Sequence, residues 1–299
     1  MSAGAIGPIV VLTLREARRR RLVLAGALLG LAFVLLYALA LWLLLSRAPC
    51  GPAARPCRTP FERAQLTTAL NMLSLAGLYA ANFLTVMAAV LLPIDTLSGE
   101  IDSGVVQTLA SKPIARAEIL FGKWLGHWLL VAGYLLLTAG GIVAAAWTVS
   151  RTVTGGPGFL VPGAAAGVAL MLLEATVMLS ISIAGGTRFS TITNGMVAFG
   201  LFGLAFLGGW IEQIGEVFVQ TAAGRTIVRD LGTVISLIVP ADAIWRLAAS
   251  HMLPRVARDL GLTPFTPRFP PTHAMAVWGA AYAAAILLLA YRQFNARAL

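Results

Sequence analysis

LVLAGALLGLAFVLLYALALWLLL, residues 22–45, is an unbroken apolar run of 24 residues without one Asp, Glu, Lys or Arg. A helix of about 20 apolar residues crosses the hydrocarbon core of a bilayer, and lipid offers its backbone no partner outside the helix itself. The run exceeds the roughly 7 to 15 residue apolar region of a signal peptide, so it reads as a retained span although Arg18 to Arg21 precede it. Five more such runs follow at 66–92, 124–148, 163–186, 195–211 and 274–291. Within the six, the only charged residue is Glu174, with His127 besides.

Composition agrees with this reading. The chain has 299 residues, 59% hydrophobic and 11% charged, where soluble domains carry about a quarter charged. Twelve acidic residues cannot solvate a surface this large, so most of the outside faces lipid. The net charge of +10 comes from 22 Lys and Arg gathered in loops and ends, which argues against a nucleic-acid-binding face. The fold expected over 1–299 is therefore a single all-α integral membrane domain of six transmembrane helices.

An even number of spans puts both ends on one side, and the five arginines from Arg15 to Arg21 put that side in the cytoplasm of a bacterial inner membrane. On this orientation eleven Lys and Arg are cytoplasmic and eleven external, six of the latter in the long 212–273 stretch. Long loops translocate largely regardless of charge, and setting this one aside leaves eleven against five. Within 1–21, Ile6, Ile9, Val10 and Leu14 recur at helical spacing beside Thr13, Arg15 and Arg18, which predicts an amphipathic helix on the membrane surface with Pro8 in its first turn.

In the external 212–273 loop, residues 231–239 are apolar but only nine long before Pro240, which reads as an interfacial or re-entrant piece rather than a seventh span. Pro254, Pro264, Pro267, Pro270 and Pro271 then make a stiff lead into the last span. Cys50 and Cys57 lie in a Pro-rich external loop, where they suit a disulfide staple; a soft-metal pair and two free thiols are the alternatives.

No G-x-x-x-x-G-K-[ST] phosphate loop, nucleophile elbow or H-E-x-x-H is present, and the gaps between spans leave no room for an ATPase domain. One Glu, one His and two Asn inside the spans do not make a catalytic constellation, which argues against an enzyme. The informative loop is 93–123. Ile101, Val105 and Leu109 share a helical face with Asp102 and Gln107 off it, predicting a short amphipathic helix that Ser111-Lys112-Pro113 ends. Acidic residues in its first turn complement the helix dipole, and Gly99 and Gly104 allow close approach to a partner.

Ser98-Gly99-Glu100-Ile101-Asp102-Ser103-Gly104, followed by Lys112-Pro113, Arg116, Glu118-Ile119-Leu120 and Gly122-Lys123, resembles the [SG]-G-E-x-[DE]-x-G…[RSY]-P…R…[EQ]-I-L-x-G-K signature of type 2 ABC transporter permeases. Within them the chain is similar to the NosY-like subgroup of multicopper-enzyme maturation, which serves nitrous oxide reductase. Pro240-Ala-Asp242-Ala-Ile-Trp245-Arg246-Leu247 is similar to that subgroup's N-P-x-D-x-[YF]-R-L segment, with Val239 standing where Asn is frequent.

The resemblance implies a six-span permease that pairs with a second copy or homologue and docks two copies of a separate ABC ATPase subunit. The loop after the second span would be the coupling helix. Carried over by motif position, Glu100, Asp102, Ser103, Gly104 and Gln107 would form the ATPase contact, with Lys112 and Arg116 at its margin and 187–194 as a second contact. No cofactor is expected on this chain; ATP and Mg would belong to the ATPase subunit. An external accessory protein would dock on the long last loop.

Glu174 sits mid-span, where a carboxylate normally faces protein or water, and Met171 and Met178 flank it at i−3 and i+4. A packing role, a cargo path and a metal contact all fit these residues. Asn71 and Asn82 read first as interhelical hydrogen bonders and second as cargo-path lining. The function expected is ATP-driven export or maturation-linked transport. The alternatives are export of a drug, lipid or peptide, and a mechanotransmitting anchor that moves an external partner without cargo.

Overall fold

The computed structural model describes residues 4, 6–47, 59–95, 99, 115–154, 158–219, 221–253 and 270–296. Among them all regular structure is helical. Helix α1 (Ile6–Arg19) is followed at once by α2 (Arg21–Ser46) and then α3 (Pro60–Leu91). Helix α4 (Arg116–Leu135) runs through a π turn (Leu136–Gly140) into α5 (Gly141–Thr154). Then come α6 (Ala164–Gly186), α7 (Thr191–Phe218), α8 (Ala222–Ile238), α9 (Ala241–Met252) and α10 (Ala274–Ala296). Six stretches are long and apolar enough to cross a membrane: α2, α3, α4 to α5, α6, the first part of α7, and α10.

The spans exceed their apolar runs where polar caps extend them. Helix α3 starts at Pro60 rather than 66 because Thr59 Oγ1 accepts from the Glu62 N–H at 3.2 Å while Glu62 Oε2 accepts from the Thr59 N–H at 3.4 Å. Helix α4 starts at Arg116 rather than 124, with the Glu118 carboxylate accepting from the Ala115 N–H at 3.2 Å. The π turn in its continuation lets Thr138 Oγ1 donate back to the Tyr134 carbonyl at 2.9 Å. Close packing brackets it: Tyr134 and Thr138 cover Gly30, and Val34 covers Gly141.

Helix α6 lies at the centre, packed against α3, α4, α7, α9 and α10, with Met171, Ala175, Val177, Met178 and Leu179 fully enclosed. Helix α2 is peripheral and leaves Leu24, Leu28, Leu35 and Leu36 exposed; α7 and α10 likewise show Leu207, Ile211, Val277 and Leu288 to the outside. That surface fits lipid, not water.

The 212–273 stretch is not simply a loop. Helix α7 runs on to Phe218, and α8 folds back along it in an antiparallel hairpin. Glycines set the register: Ile235 lies over Gly208, Val228 over Gly215 and Glu212 over Gly232. Helix α8 keeps Ile227, Leu231, Val234 and Ile238 on an exposed apolar stripe. The chain then turns at Val239-Pro240 into α9, whose residues are buried from Ala241 to Ser250. Ile244 packs over Gly279 of α10, and Met252 over Gly167 at the start of α6. The turn between α8 and α9 is thus buried, and the end of α9 lies near the start of α6.

Candidate functional site

Two places gather polar chemistry: the end of the bundle that holds the start of α4 and the end of α10, and the α7–α8 hairpin with α9. At the first, the buried face of α1, made by Ile9, Val10, Thr13 and Ala17, packs on α4. The Glu-Ile-Leu-x-Gly-Lys run at 118–123 provides the seat. A Cβ on Gly122 would lie 2.7 Å from Ile9 Cγ2, and one on Gly126 would lie 2.8 Å from Thr13 Cβ. Ile119 and Leu120 are buried in the core beneath. Val11 and Leu12 point outward beside Arg15, Arg18 and Arg19, so an amphipathic outer face remains.

Of the residues expected at an ATPase contact, Glu100, Asp102, Ser103, Gly104, Gln107 and Lys112 lie outside the described residues, as do Cys50 and Cys57. The two borders of that segment are described. At its start, Asp95 Oδ1 accepts from Thr191 Oγ1 at 3.0 Å and Oδ2 lies 4.0 Å from Arg20 Nη1, while Arg20 Nη2 also pairs with Glu16 at 2.5 Å. Asp95 therefore touches both the α1–α2 corner and the first turn of α7. The Gly99 N–H donates to the Asp95 carbonyl at 3.1 Å, and a Cβ on Gly99 would collide with the Asp95 carboxylate.

At the segment's end, Arg116 Nη1 donates to the carbonyls of Phe294 at 3.3 Å and Asn295 at 3.0 Å, capping the C-terminal turn of α10. The 187–194 stretch joins the same end. Thr187 Oγ1 donates to Gln293 Oε1 at 2.9 Å, and Asn194 Nδ2 donates to the Ser182 carbonyl at 2.9 Å. The part-exposed ion pairs of Arg20 are worth about 0–1 kcal/mol each, so they fix relative positions more than they add stability.

In the spans, Glu174 and Asn82 are brought together: Asn82 Nδ2 donates to Glu174 Oε2 at 2.9 Å, and Glu174 is 1% exposed. Met171 and Met178 are completely buried in the same helix. Asn71 stands apart from them, with Nδ2 donating to the Thr67 carbonyl of its own helix at 3.2 Å. His127 is buried, its Nδ1 2.8 Å from the Lys123 carbonyl. The described apolar crevice of about 520 Å³ lies elsewhere, between the first half of α2 and helices α3 and α4.

The hairpin holds a cluster that span-by-span reading passed over. Arg246 Nη1 donates to Glu212 Oε2 at 2.8 Å and Nη2 to Ser236 Oγ at 3.2 Å, while Nε lies 2.9 Å from Asp242 Oδ2. One guanidinium thus ties α7, α8 and α9. The Asp242 approach is an ion-pair contact without the alignment of a hydrogen bond. All three charged residues are buried, and the Asp242 carboxylate occupies the space over Gly209. Trp245 packs on Tyr79 of α3 with ring centroids 5.3 Å apart. The signal for this cluster was the Asp-x-x-x-Arg spacing in a short apolar helix, which places both charges on one face.

The pattern of ABC-2 family transporter proteins matches residues 9–299. A probable ABC transporter permease protein NosY of Stutzerimonas stutzeri is 40% identical over 67 residues, 22% of this chain and 24% of that protein. The protein of the same name in Pseudomonas aeruginosa is 40% identical over 52 residues, 17% of this chain and 19% of that one. The matched stretches thus span about a quarter and a fifth of the length of these relatives. With six helices able to cross a membrane among the described residues and a family match over nearly its whole length, the chain is a multi-pass membrane protein that belongs to the ABC-2 transporter family.

Proposed function

We propose that this permease converts ATP hydrolysis on a separate subunit into movement of its spans, with 93–123 as the coupling element, for export or maturation-linked transport. Both termini face the cytoplasm, a second permease copy or homologue completes the pore, and two ATPase chains hold the ATP and Mg. The observation that carries this reading is the pair of borders of 93–123. Asp95 engages Arg20 and Thr191, and Arg116 engages Phe294 and Asn295. A push on the segment between them would reach α1, α2, α7 and α10 together.

The test is purification of the tagged full chain from its native membrane in mild detergent, beside a Glu100→Arg variant, with mass spectrometry and an ATPase assay. An ATPase subunit recovered with the wild type and lost from the variant supports the reading. Equal recovery with both places the contact elsewhere.

A second reading, a mechanotransmitting anchor acting on an external partner, is favoured by the enclosure of Glu174, Met171 and Met178 inside one chain. Glu174 is 1% exposed and accepts a hydrogen bond from Asn82, an arrangement that suits packing. ATP-dependent uptake into inverted vesicles separates the two: transport of any added cargo argues for a permease pathway, and partner movement without flux argues for the anchor.

A further inference from the structure

The chain has three histidines, and the two outside the spans face each other. His251 is in the last turn of α9 and His273 immediately precedes α10. Their Nε2 atoms are 3.3 Å apart, with rings nearly perpendicular at 88° and centroids 5.2 Å apart. The tautomer of His251 follows from its other nitrogen. Nδ1 lies 2.9 Å from the Leu247 carbonyl, which can only accept, so Nδ1 carries the proton and Nε2 presents a lone pair toward His273. An imidazole that donates Nδ1–H to a backbone carbonyl and offers Nε2 outward is the usual posture of a metal-ligating histidine.

Without a metal the two rings share a hydrogen bond, His273 Nε2–H donating to His251 Nε2, and the same separation suits one coordination geometry. Two nitrogens each about 2.0–2.1 Å from a tetrahedral ion are about 3.3–3.4 Å apart. Neighbouring ligands of a square-planar ion would be about 2.9 Å apart, and the two ligands of a linear one about 4 Å. The donors are also held in place. Helix α9 is buried, the His251 carbonyl packs against Gly163, and Met252 packs over Gly167. His273 opens the first turn of α10, where the Ala276 N–H donates to its carbonyl at 3.0 Å.

We propose that His251 and His273 form a two-histidine site for a tetrahedral divalent cation of the zinc class, clamping the end of α9 to the start of α10. Among the described residues no third His, Cys, Asp or Glu joins them, and the remaining positions of the proposed site go to exchangeable water. The site owes nothing to the coupling reading and stands or falls apart from it.

The experiment uses the full chain in detergent with a histidine-free tag, in a Cys50→Ser and Cys57→Ser background so that thiols do not compete. Cobalt(II) is the probe, because its visible bands intensify in tetrahedral sites. One Co²⁺ per chain with intense bands, displaced by Zn²⁺, is expected. Affinity should fall at least about ten-fold in both His251→Ala and His273→Ala and persist in His273→Cys. His273 is exposed, so its replacement leaves the fold intact, checked by elution volume and helicity. Absence of tetrahedral bands, or binding unchanged in both alanine variants, overturns the proposal.

Discussion

Ile9 of the amphipathic helix fills the place that any side chain at Gly122 would take, 2.7 Å from where its Cβ would be. The contact accounts for glycine at this point of the Glu-Ile-Leu-x-Gly-Lys run: a side chain there would force Ile9 and α1 to shift from their seat on α4. It also brings the arginine-rich end of α1 to Asp95, at the head of 93–123. Gly122→Ala is expected to destabilise by about 1–3 kcal/mol through overpacking, with Ile9→Ala in the same chain restoring most of the loss. Thermal unfolding of the single and double variants checks this; additive losses would show that the two residues do not share the space.

Arg246 faces two carboxylates, so the buried cluster holds one cation against two anions. Arg246→Met should be severely destabilising, on the order of 3–5 kcal/mol, because it leaves Glu212 and Asp242 uncompensated. Asp242→Asn keeps the Arg246–Glu212 pair and should cost far less. Unfolding midpoints in detergent for the two variants test the ordering, and equal losses would contradict it.

Glu174 accepts from Asn82, and an amide oxygen accepts equally well. Glu174→Gln should therefore fold with near wild-type stability, whereas Asn82→Leu leaves a buried carboxylate without its partner and should lose about 1–3 kcal/mol. Measured beside ATP-driven activity, a stable Glu174→Gln that has lost function would assign the carboxylate a role beyond packing.

Asp95→Ala removes an exposed acceptor shared by Thr191 and Arg20. Stability should shift by less than about 1 kcal/mol. If α1, α7 and the coupling segment move together, the stimulation of ATPase activity by the permease should fall markedly. Unchanged stimulation would remove Asp95 from the coupling path.

Most of the scaffold was legible in the chain. Uninterrupted apolar runs can satisfy their backbone in lipid only as helices, so six spans followed from length and hydropathy, and the periodicity of Ile6, Ile9 and Val10 marked α1. Span ends were less legible. Thr59 with Glu62 at the start of α3, and Glu118 in the first turn of α4, extend helices into polar sequence where an apolar count stops.

Local pattern set which residues are helical and which pieces need lipid; long-range packing decided which polar groups meet. Asn82 and Glu174 are 92 positions apart, Arg246 and Glu212 34, and the paired histidines 22. None of these partners is implied by spacing along one helix. They meet because α6 is enclosed on several sides and because α8 and α9 fold back between the spans, where a buried charge or hydrogen bonder is stable only with a partner brought from elsewhere in the chain.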